Sequence, residues 1–244
     1  MWIEFENIQN VRDLGGLVTA DGRRVKAGRI LRGAGLADAS DADIEKLRAV
    51  PLRHVVDLRD ATECARRPDR EVPGAEYHSL PALPGLPGHA AIVNGEPDFA
   101  PLFLKIYEEM AVAPESRDTY RALFRLLLET RDGAVYFHCT QGKDRTGVGA
   151  LLVLTALGVP MAAVQEDYFL SNEGLKEAME HPMTPGGASW SRETKENLFF
   201  VFQRNIDAYL DGLTAAWGGV DGYLRDALGL TDADFEALRR EYLE

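Results

Sequence analysis

The chemistry of this sequence is concentrated in one short segment near the middle of the chain. The segment reads Val135-Tyr-Phe-His-Cys-Thr-Gln-Gly-Lys-Asp-Arg-Thr-Gly147, which predicts a buried strand, a tight loop turned at Gly142 and then a helix. Backbone N–H groups of such a loop converge at the positive end of the helix dipole, where they bind a tetrahedral oxyanion. Cys139 opens the loop, and Arg145 closes it with a guanidinium that suits two phosphate oxygens. The segment therefore predicts a phosphate-binding loop with a cysteine at its floor.

The same electropositive loop favours the thiolate form of Cys139, which is the nucleophilic form. We expect the thiolate to displace the leaving group at phosphorus and form a phosphocysteine, which water then hydrolyses. Backbone amides and Arg145 would stabilise the charge in both steps, with no metal and no cofactor. The predicted substrate-binding residues are Thr140, Gln141, Gly142, Lys143, Thr146 and His138. Among them, Thr146 is expected to donate to the sulfur, His138 to orient the loop, and Lys143 to contact the leaving group or a second phosphate.

Two other interpretations of this segment are weaker. A cysteine beside an apolar strand is usually inert core, but a core loop has no need of the polar run that follows Cys139. A nucleotide-binding Walker A loop is excluded because Lys143 is followed by Asp144 and because position 137 is Phe where that motif needs Gly. The segment is typical of a catalytic loop.

The run from His138 to Gly147 resembles the signature of the cysteine-dependent protein tyrosine phosphatase superfamily. Its Lys-Asp-Arg form is similar to that of bacterial and fungal members that also act on phosphoinositides. Further similar segments follow the family order, at Asn10–Gly16, Leu31–Leu36, Val56–Arg59, Asp167–Asn172 and Gly222–Gly229. The resemblance implies an α/β fold with a mostly parallel four- to five-stranded sheet flanked by helices and the loop at the carboxyl end of the central strand. It also implies hydrolysis of phosphotyrosine, with phosphoserine, phosphothreonine or phosphoinositides as further substrates.

Carried over residue by residue, the resemblance makes Cys139 the nucleophile and Arg145 the phosphate clamp, and it leaves three candidates for the general acid. Common members of the superfamily carry this aspartate on a separate mobile loop, where Asp98 is the nearest positional match although no Trp-Pro-Asp occurs. The bacterial enzymes point instead to Asp144, within the loop, and to Asp57, at a strand end.

Each candidate also has a structural interpretation. Asp57 would form a salt bridge with Arg59 or Arg12, two arginines that we expect to brace the loop from below. Asp144 would orient Arg145, and the third aspartate would be a solvated loop residue. These alternatives stay open on the sequence alone.

Three features outside the loop are also singled out. Cys64 is a candidate resolving thiol for Cys139, although plain burial is the commoner fate of such a cysteine. The segment 178–205 is a candidate helical flap, because a Pro/Gly cluster precedes several aromatic residues. Tyr168 and Asn172 are equally typical of packing and of function.

Alternating strand-like and helix-like patterns predict the α/β fold. Strands are expected at 29–32, 54–58, 75–80 and 134–138. Helices are expected after the cap pairs Ser40/Asp43, Asp60/Glu63 and Thr231/Asp234, at 102–110, at 120–127, at 146–157 and through the last third. The Pro/Gly-rich stretch 81–101 is predicted to be a loop, and residues 1–244 to be a single domain.

Composition restricts the function classes. The 244 residues are 45% hydrophobic and 27% charged, with a formal net charge of −12, which is typical of a soluble globular chain and disfavours nucleic-acid or anionic-membrane binding. Two cysteines cannot make a disulfide framework, and neither a signal peptide nor a membrane span is predicted, so we expect a cytoplasmic protein. A catalytically weak phosphate-binding module and a rhodanese-like sulfurtransferase are the alternative functions, and oligomeric state stays open.

Overall fold

A computed structural model describes residues 1–83, 90–183 and 186–244. Its main sheet has five strands in the order β1-β2-β7-β3-β4. The strands are Arg12–Asp13 (β1), Ile30–Ala34 (β2), Leu52–Asp57 (β3), Glu76–Ser79 (β4) and Ala134–Cys139 (β7). All neighbouring pairs are parallel except β1 with β2. The predicted mostly parallel sheet is confirmed, with β7 at its centre.

Helices cover both faces of the sheet, as predicted. Their bounds are Asp41–Ala49 (α1), Ala61–Arg66 (α2), Ala100–Val112 (α3), Pro114–Glu129 (α4), Arg145–Leu157 (α5), Met161–Gly174 (α6), Lys176–Glu180 (α7), Arg192–Phe199 (α8), Gln203–Trp217 (α9), Val220–Gly222 (α10) and Asp232–Tyr242 (α11). A 3₁₀ turn lies at Gly187–Ser189 and a π turn at Tyr223–Ala227. The last third of the chain is helical, as expected. No helix among these is both long and apolar enough to cross a bilayer.

Local capping chemistry places the helix starts correctly. Ser40, Asp60 and Thr231 each accept a backbone hydrogen bond and complete a capping box with an acidic residue three positions on. The buried helix α5 ends at Gly158, whose φ of 91° is the left-handed conformation that glycine adopts most easily. These signals need only neighbouring residues, which is why the sequence reveals them.

The predicted loop 81–101 is partly wrong. Residues 84–89 lie outside the described part of the chain, but the rest contains an antiparallel hairpin of Ala91–Val93 (β5) and Glu96–Asp98 (β6). Asn94 and Gly95 turn it with φ values of 53° and 83°. This Asn-Gly pair is a strong hairpin signal because both positions need positive φ, and the prediction overlooked it.

The core places the central strand and its helix. Apolar side chains of β7, α4, α5 and the C-terminal helices form the larger buried cluster. Side chains of β2, α1 and β3 contribute to the smaller cluster on the other face. Because β2, β7 and β3 are parallel, their carboxyl ends meet at one edge of the sheet, where open α/β folds place their sites.

Candidate active site

The loop between β7 and α5 has the predicted geometry. Cys139 is the last residue of β7 and Arg145 is the first of α5. The turn at Gly142 has a φ of 68°, and a Cβ there would lie 2.2 Å from the carbonyl oxygen of Gly33. Only glycine satisfies both conditions, so the loop packs directly on the end of β2.

Two buried side chains hold the loop by its carbonyl oxygens. Arg32 donates from Nη2 to the oxygen of Gly142 at 2.9 Å, and Asn10 donates from Nδ2 to the oxygen of Gln141 at 3.0 Å. With these oxygens drawn away from the centre of the loop, its N–H groups are free to face a ligand.

Asp167 on α6 anchors this bracing. Its carboxylate accepts from Nε of Arg12 at 2.7 Å and from Nη1 of Arg32 at 2.6 Å, and all three side chains are buried. Arg12 also donates to Oδ1 of Asn10 at 2.6 Å. Burial opposes ionisation of Asp167, yet the two arginines keep its pKa below the ordinary value, while burial and Arg32 lower the pKa of Arg12 to about 10. Arg12 therefore lies where the sequence analysis expected it, below the loop.

Cys139 is 2% exposed in this conformation. The hydroxyl of Thr146 is buried and has no hydrogen-bond partner within the described residues. The predicted Thr146–Cys139 hydrogen bond is therefore not formed here, and a buried donor remains unused beside the loop.

Arg145 is engaged by a residue that the sequence analysis treated only as a helix cap. Glu63 of α2 accepts from Nη1 and Nη2 of Arg145 at 2.5 and 2.8 Å and from the Thr140 hydroxyl at 2.6 Å. Against the effect of burial, these donors lower the pKa of Glu63 to about 2. Burial likewise opposes the charge of Arg145, but Glu63 and the nearby Cys139 raise its pKa. Glu63 thus fixes the guanidinium as a charged group beside the loop.

Lys143 does not point to an open mouth, which corrects the prediction. Its Nζ lies 3.9 Å from the ring centroid of Phe103 and donates to the backbone oxygen of Phe200 at 3.3 Å. Burial lowers the pKa of Lys143 although Asp144, with Oδ2 at 3.5 Å, opposes the shift. We call Phe103 and Phe200 the aromatic cover. The ring of Phe103 and the backbone oxygen of Phe200 replace part of the water that would otherwise solvate the Lys143 ammonium group.

Asp144 is held by a pair of buried tyrosines. The hydroxyl of Tyr107 on α3 donates to Oδ1 of Asp144 at 2.9 Å, and the hydroxyl of Tyr168 lies 2.8 Å from that of Tyr107. Burial, with the charge of Asp144, raises the pKa of both phenols, so both stay protonated. The Asp144 side chain keeps 14% of its surface exposed. Tyr107 was not singled out from the sequence, whereas Tyr168 belongs to a motif of uncertain role.

Asp57 has the surroundings of its structural alternative. It is fully buried and accepts from Nε and Nη2 of Arg59 at 2.9 and 2.7 Å and from the Tyr77 hydroxyl at 2.8 Å. Burial alone would raise the pKa of Asp57, but Arg59 and the neighbouring His138 lower it strongly. A carboxylate held ionised in this way has no proton to donate at neutral pH.

His138 extends the same network below the loop. Its Nε2 lies 3.0 Å from Oδ2 of Asp69, and its ring stacks on Tyr136 with centroids 5.5 Å apart. Asp57, Asp69 and His138 are close enough to share a cation. The guanidinium of Arg59 already contacts both carboxylates, at 2.7 and 2.9 Å. A metal would have to displace it, so these residues do not fit a metal site.

Comparison with known proteins decides the family. A model of the tyrosine phosphatase family matches residues 3–244. The chain belongs to this family. A Cupriavidus necator protein with a provisional name as a tyrosine-protein phosphatase is 35% identical over 99% of this chain and 88% of its own length. The triple specificity protein phosphatase PtpB of Mycobacterium tuberculosis is 27% identical over 97% of each chain, and a Nostoc commune tyrosine-protein phosphatase is 27% identical over 88% of this chain and 74% of its own. The protein is therefore a phosphatase.

The two remaining sequence candidates lie apart from the loop of this tyrosine phosphatase. Asp98 ends the hairpin and accepts from the backbone N–H of Ala100 at 3.1 Å, at the start of α3. Cys64 directs its thiol to Oδ2 of Asp57 at 3.3 Å, and both burial and that carboxylate raise the pKa of Cys64. A thiol held protonated in this way is a poor partner for disulfide formation.

The segment 178–205 contacts the loop through Phe200, and its role as a flap stays a prediction. Thr184 and Pro185 are outside the described residues, but α8 follows them and leads into Phe200 of the aromatic cover. The side chain of Asn172 anchors the next residue, donating to the Val201 oxygen at 3.0 Å and accepting from its N–H at 2.7 Å.

Proposed function

We propose that this phosphatase hydrolyses phosphotyrosine in proteins through a metal-independent phosphocysteine mechanism, within one domain spanning 1–244. The observation that carries the proposal is the braced loop, in which Cys139 and Arg145 flank N–H groups whose carbonyls are held away by Arg32 and Asn10. Such preorganised donors stabilise a pentacoordinate phosphoryl group without reorganisation.

In the first step the Cys139 thiolate attacks phosphorus, a P–S bond forms and the bond to the ester oxygen breaks. The Asp144 carboxyl protonates that oxygen as it leaves. In the second step Asp144, now ionised, takes a proton from water, which attacks phosphorus and releases phosphate and the thiolate. Arg145 and the loop amides balance the charge in both steps.

Asp144 is the better of the three general-acid candidates on geometry. It lies next to Arg145 at the N-terminus of α5, keeps part of its surface exposed and is oriented by Tyr107. Asp57 is buried and saturated by Arg59, and Asp98 caps α3 in the hairpin. A group that protonates a leaving oxygen has to reach it, and Asp144 combines access with a fixed orientation.

Substrate has to reach a sulfur that is nearly enclosed, so we propose that the segment carrying α8 and Phe200 moves during turnover. That segment contacts Lys143 through one hydrogen bond, from Lys143 Nζ to the Phe200 backbone oxygen, which is a modest energy. Movement would expose Lys143 as a second anion contact. This supports activity on phosphoinositides and on phosphoserine and phosphothreonine beside phosphotyrosine, a breadth in keeping with the triple-specificity name of one relative.

The test is hydrolysis of para-nitrophenyl phosphate in EDTA by the wild type, Cys139→Ser and Arg145→Met. We expect full turnover in the wild type and loss in both variants, while the variants keep their thermal unfolding transitions. Saturable phosphate binding without turnover in the wild type would indicate the binding module, and sulfur transfer from thiosulfate would indicate the sulfurtransferase; either result contradicts the proposal. Phosphotyrosyl peptides, phosphoseryl peptides and phosphoinositides then rank the substrates. A cytoplasmic location remains a prediction, which cell fractionation tests.

A further inference from the structure

Two histidines and a glutamate converge where β3 pairs with the edge strand β4, towards the amino-terminal ends of these strands. His54 lies in β3 directly opposite Glu76 of the edge strand β4, and His78 follows two positions later on the same face of β4. Nδ1 of His54 and Nε2 of His78 are 2.9 Å apart. The Glu76 carboxylate lies 3.9 Å from each of these nitrogens. The three side chains therefore offer three ligand atoms to one point.

These separations are close to those of a metal centre. Bonds of about 2.0–2.2 Å in tetrahedral geometry place neighbouring ligand atoms about 3.3–3.4 Å apart. The two nitrogens would have to separate by about half an ångström, and one Glu76 oxygen would have to move until it lies at the same distance from both. Glu76 can make that movement, since its side chain is 70% exposed.

We propose that His54, Glu76 and His78 bind a divalent transition metal ion of the zinc type, with a water completing the coordination. Two imidazoles and one carboxylate with an open position form a ligand set that zinc uses in proteins. The ion binds by donation from the three side chains, so no bond in the chain is made or broken.

The surroundings favour a cation at this point. His54 and Glu76 line an open depression of about 400 Å³, so a hydrated ion can enter. Its lining carries three carboxylates, on Glu76, Glu129 and Asp132, against two guanidiniums, on Arg53 and Arg131. Arg53 is paired with Asp132 at 2.6 Å.

The proposed ion would link the edge strand to its neighbour without touching the phosphatase chemistry. His54 lies beside Val135 at the start of β7, whereas Cys139 is at its end, about 13 Å further along the strand. The ion would oppose separation of β4 from β3. An ion that binds the folded state and not the unfolded state raises the free energy of unfolding. This inference does not depend on the catalytic proposal.

The test uses untagged full-length protein carrying Cys139→Ser, so that the loop thiol cannot bind metal. After treatment with EDTA and dialysis, the protein is titrated with Zn²⁺ by calorimetry and with Co²⁺ by visible absorption. We expect one equivalent of each, a tetrahedral cobalt spectrum and a rise in unfolding temperature with zinc. Binding should weaken at least tenfold in His54→Gln and in His78→Gln, and several-fold in Glu76→Gln.

His181→Gln, at an exposed histidine elsewhere, is the matched control and should bind as the parent does. If a histidine variant fails to fold, the exposed Glu76→Gln variant still reports on the site, since its cobalt spectrum should change. Absence of zinc binding in the parent, or equal affinity in the parent and in all three site variants, would overturn the proposal.

Discussion

The loop around Cys139 is held very differently on its two sides. Below it lies a buried base of Asn10, Arg12, Arg32 and Asp167, in which charges are paired and carbonyls are satisfied. Above it lies the aromatic cover, which contacts the loop through Lys143. The difference teaches that the shape of the loop, which we propose binds phosphate, is fixed by buried contacts of the fold. Access to the loop depends on fewer contacts, which local opening can break at a small cost in free energy.

Breaking the base should have the largest effect. Asp167→Ala leaves Arg12 and Arg32 as uncompensated buried charges, so we expect the free energy of unfolding to fall by about 3–5 kcal/mol. Urea denaturation measures this. Asp21→Ala removes an exposed carboxylate paired with Arg23 and is the control, for which a change of at most ~1 kcal/mol is expected. Equal losses in the two variants would show that the base is not specially stabilising.

Removing the proposed acid should be the next largest effect and should spare stability. Asp144→Asn is expected to lower kcat for phenyl phosphate by about 10²–10⁴-fold. For para-nitrophenyl phosphate, whose leaving group needs little protonation, formation of the phosphocysteine, measured as kcat/KM, should fall much less. Its breakdown, in which Asp144 is the base, should slow equally with both substrates. Asp98→Asn is the matched control and should leave both rates near those of the wild type. An equal loss of kcat/KM with both substrates would mean that Asp144 acts in binding rather than as an acid.

Tyr107→Phe tests whether orientation of Asp144 matters. The substitution removes the hydrogen bond to Oδ1 but keeps the ring. We expect kcat for phenyl phosphate to fall by roughly tenfold, which corresponds to the loss of one hydrogen bond to a charged group. The rate should also depend more steeply on the pKa of the leaving group. Tyr242→Phe, which removes a buried hydroxyl bonded to the Leu127 oxygen, controls for general loosening. An unchanged leaving-group dependence would argue that the phenol only fills space.

Loosening the cover should have the smallest effect. Asn172→Ala removes both hydrogen bonds to Val201, so the cover should open more often. We expect alkylation of Cys139 by iodoacetamide to speed up several-fold. This is the increase in the open population that results when the closed state loses about 1 kcal/mol of hydrogen-bond energy. Asn197→Ala, which breaks only a surface bond to Arg204, should alkylate at the wild-type rate. Slower or unchanged alkylation in Asn172→Ala would show that the cover does not control access.

The sequence was informative where neighbouring residues decide the structure. The capping boxes at Ser40 and Asp60, the turn at Gly142 and the end of α5 at Gly158 are local features. The mostly parallel sheet, with the loop at the end of its central strand, follows from the family resemblance. The loop position and its flanking Cys139 could likewise be predicted, since strand, glycine and helix are consecutive.

Contacts between distant segments could not be predicted. Glu63 meets Arg145 across 82 positions and Tyr107 meets Asp144 across 37, so no periodicity reveals either pair. Lys143 was predicted to contact the leaving group or a second phosphate, because nothing near it in the sequence indicates its contacts with Phe103 and Phe200. One feature of the sequence did point to Glu63. Its role in the capping box of α2 occupies one carboxylate oxygen, so the other oxygen can accept a hydrogen bond from a second partner.

The central claim is that Cys139 carries the phosphoryl group during turnover. The most direct measurement is mass spectrometry of peptides from enzyme quenched in acid during hydrolysis of para-nitrophenyl phosphate, with Asp144→Asn used to slow breakdown of the intermediate. The account predicts one phosphoryl group on the peptide containing Cys139 and none in Cys139→Ser. A phosphoryl group on another residue, or turnover that survives Cys139→Ser, would contradict it.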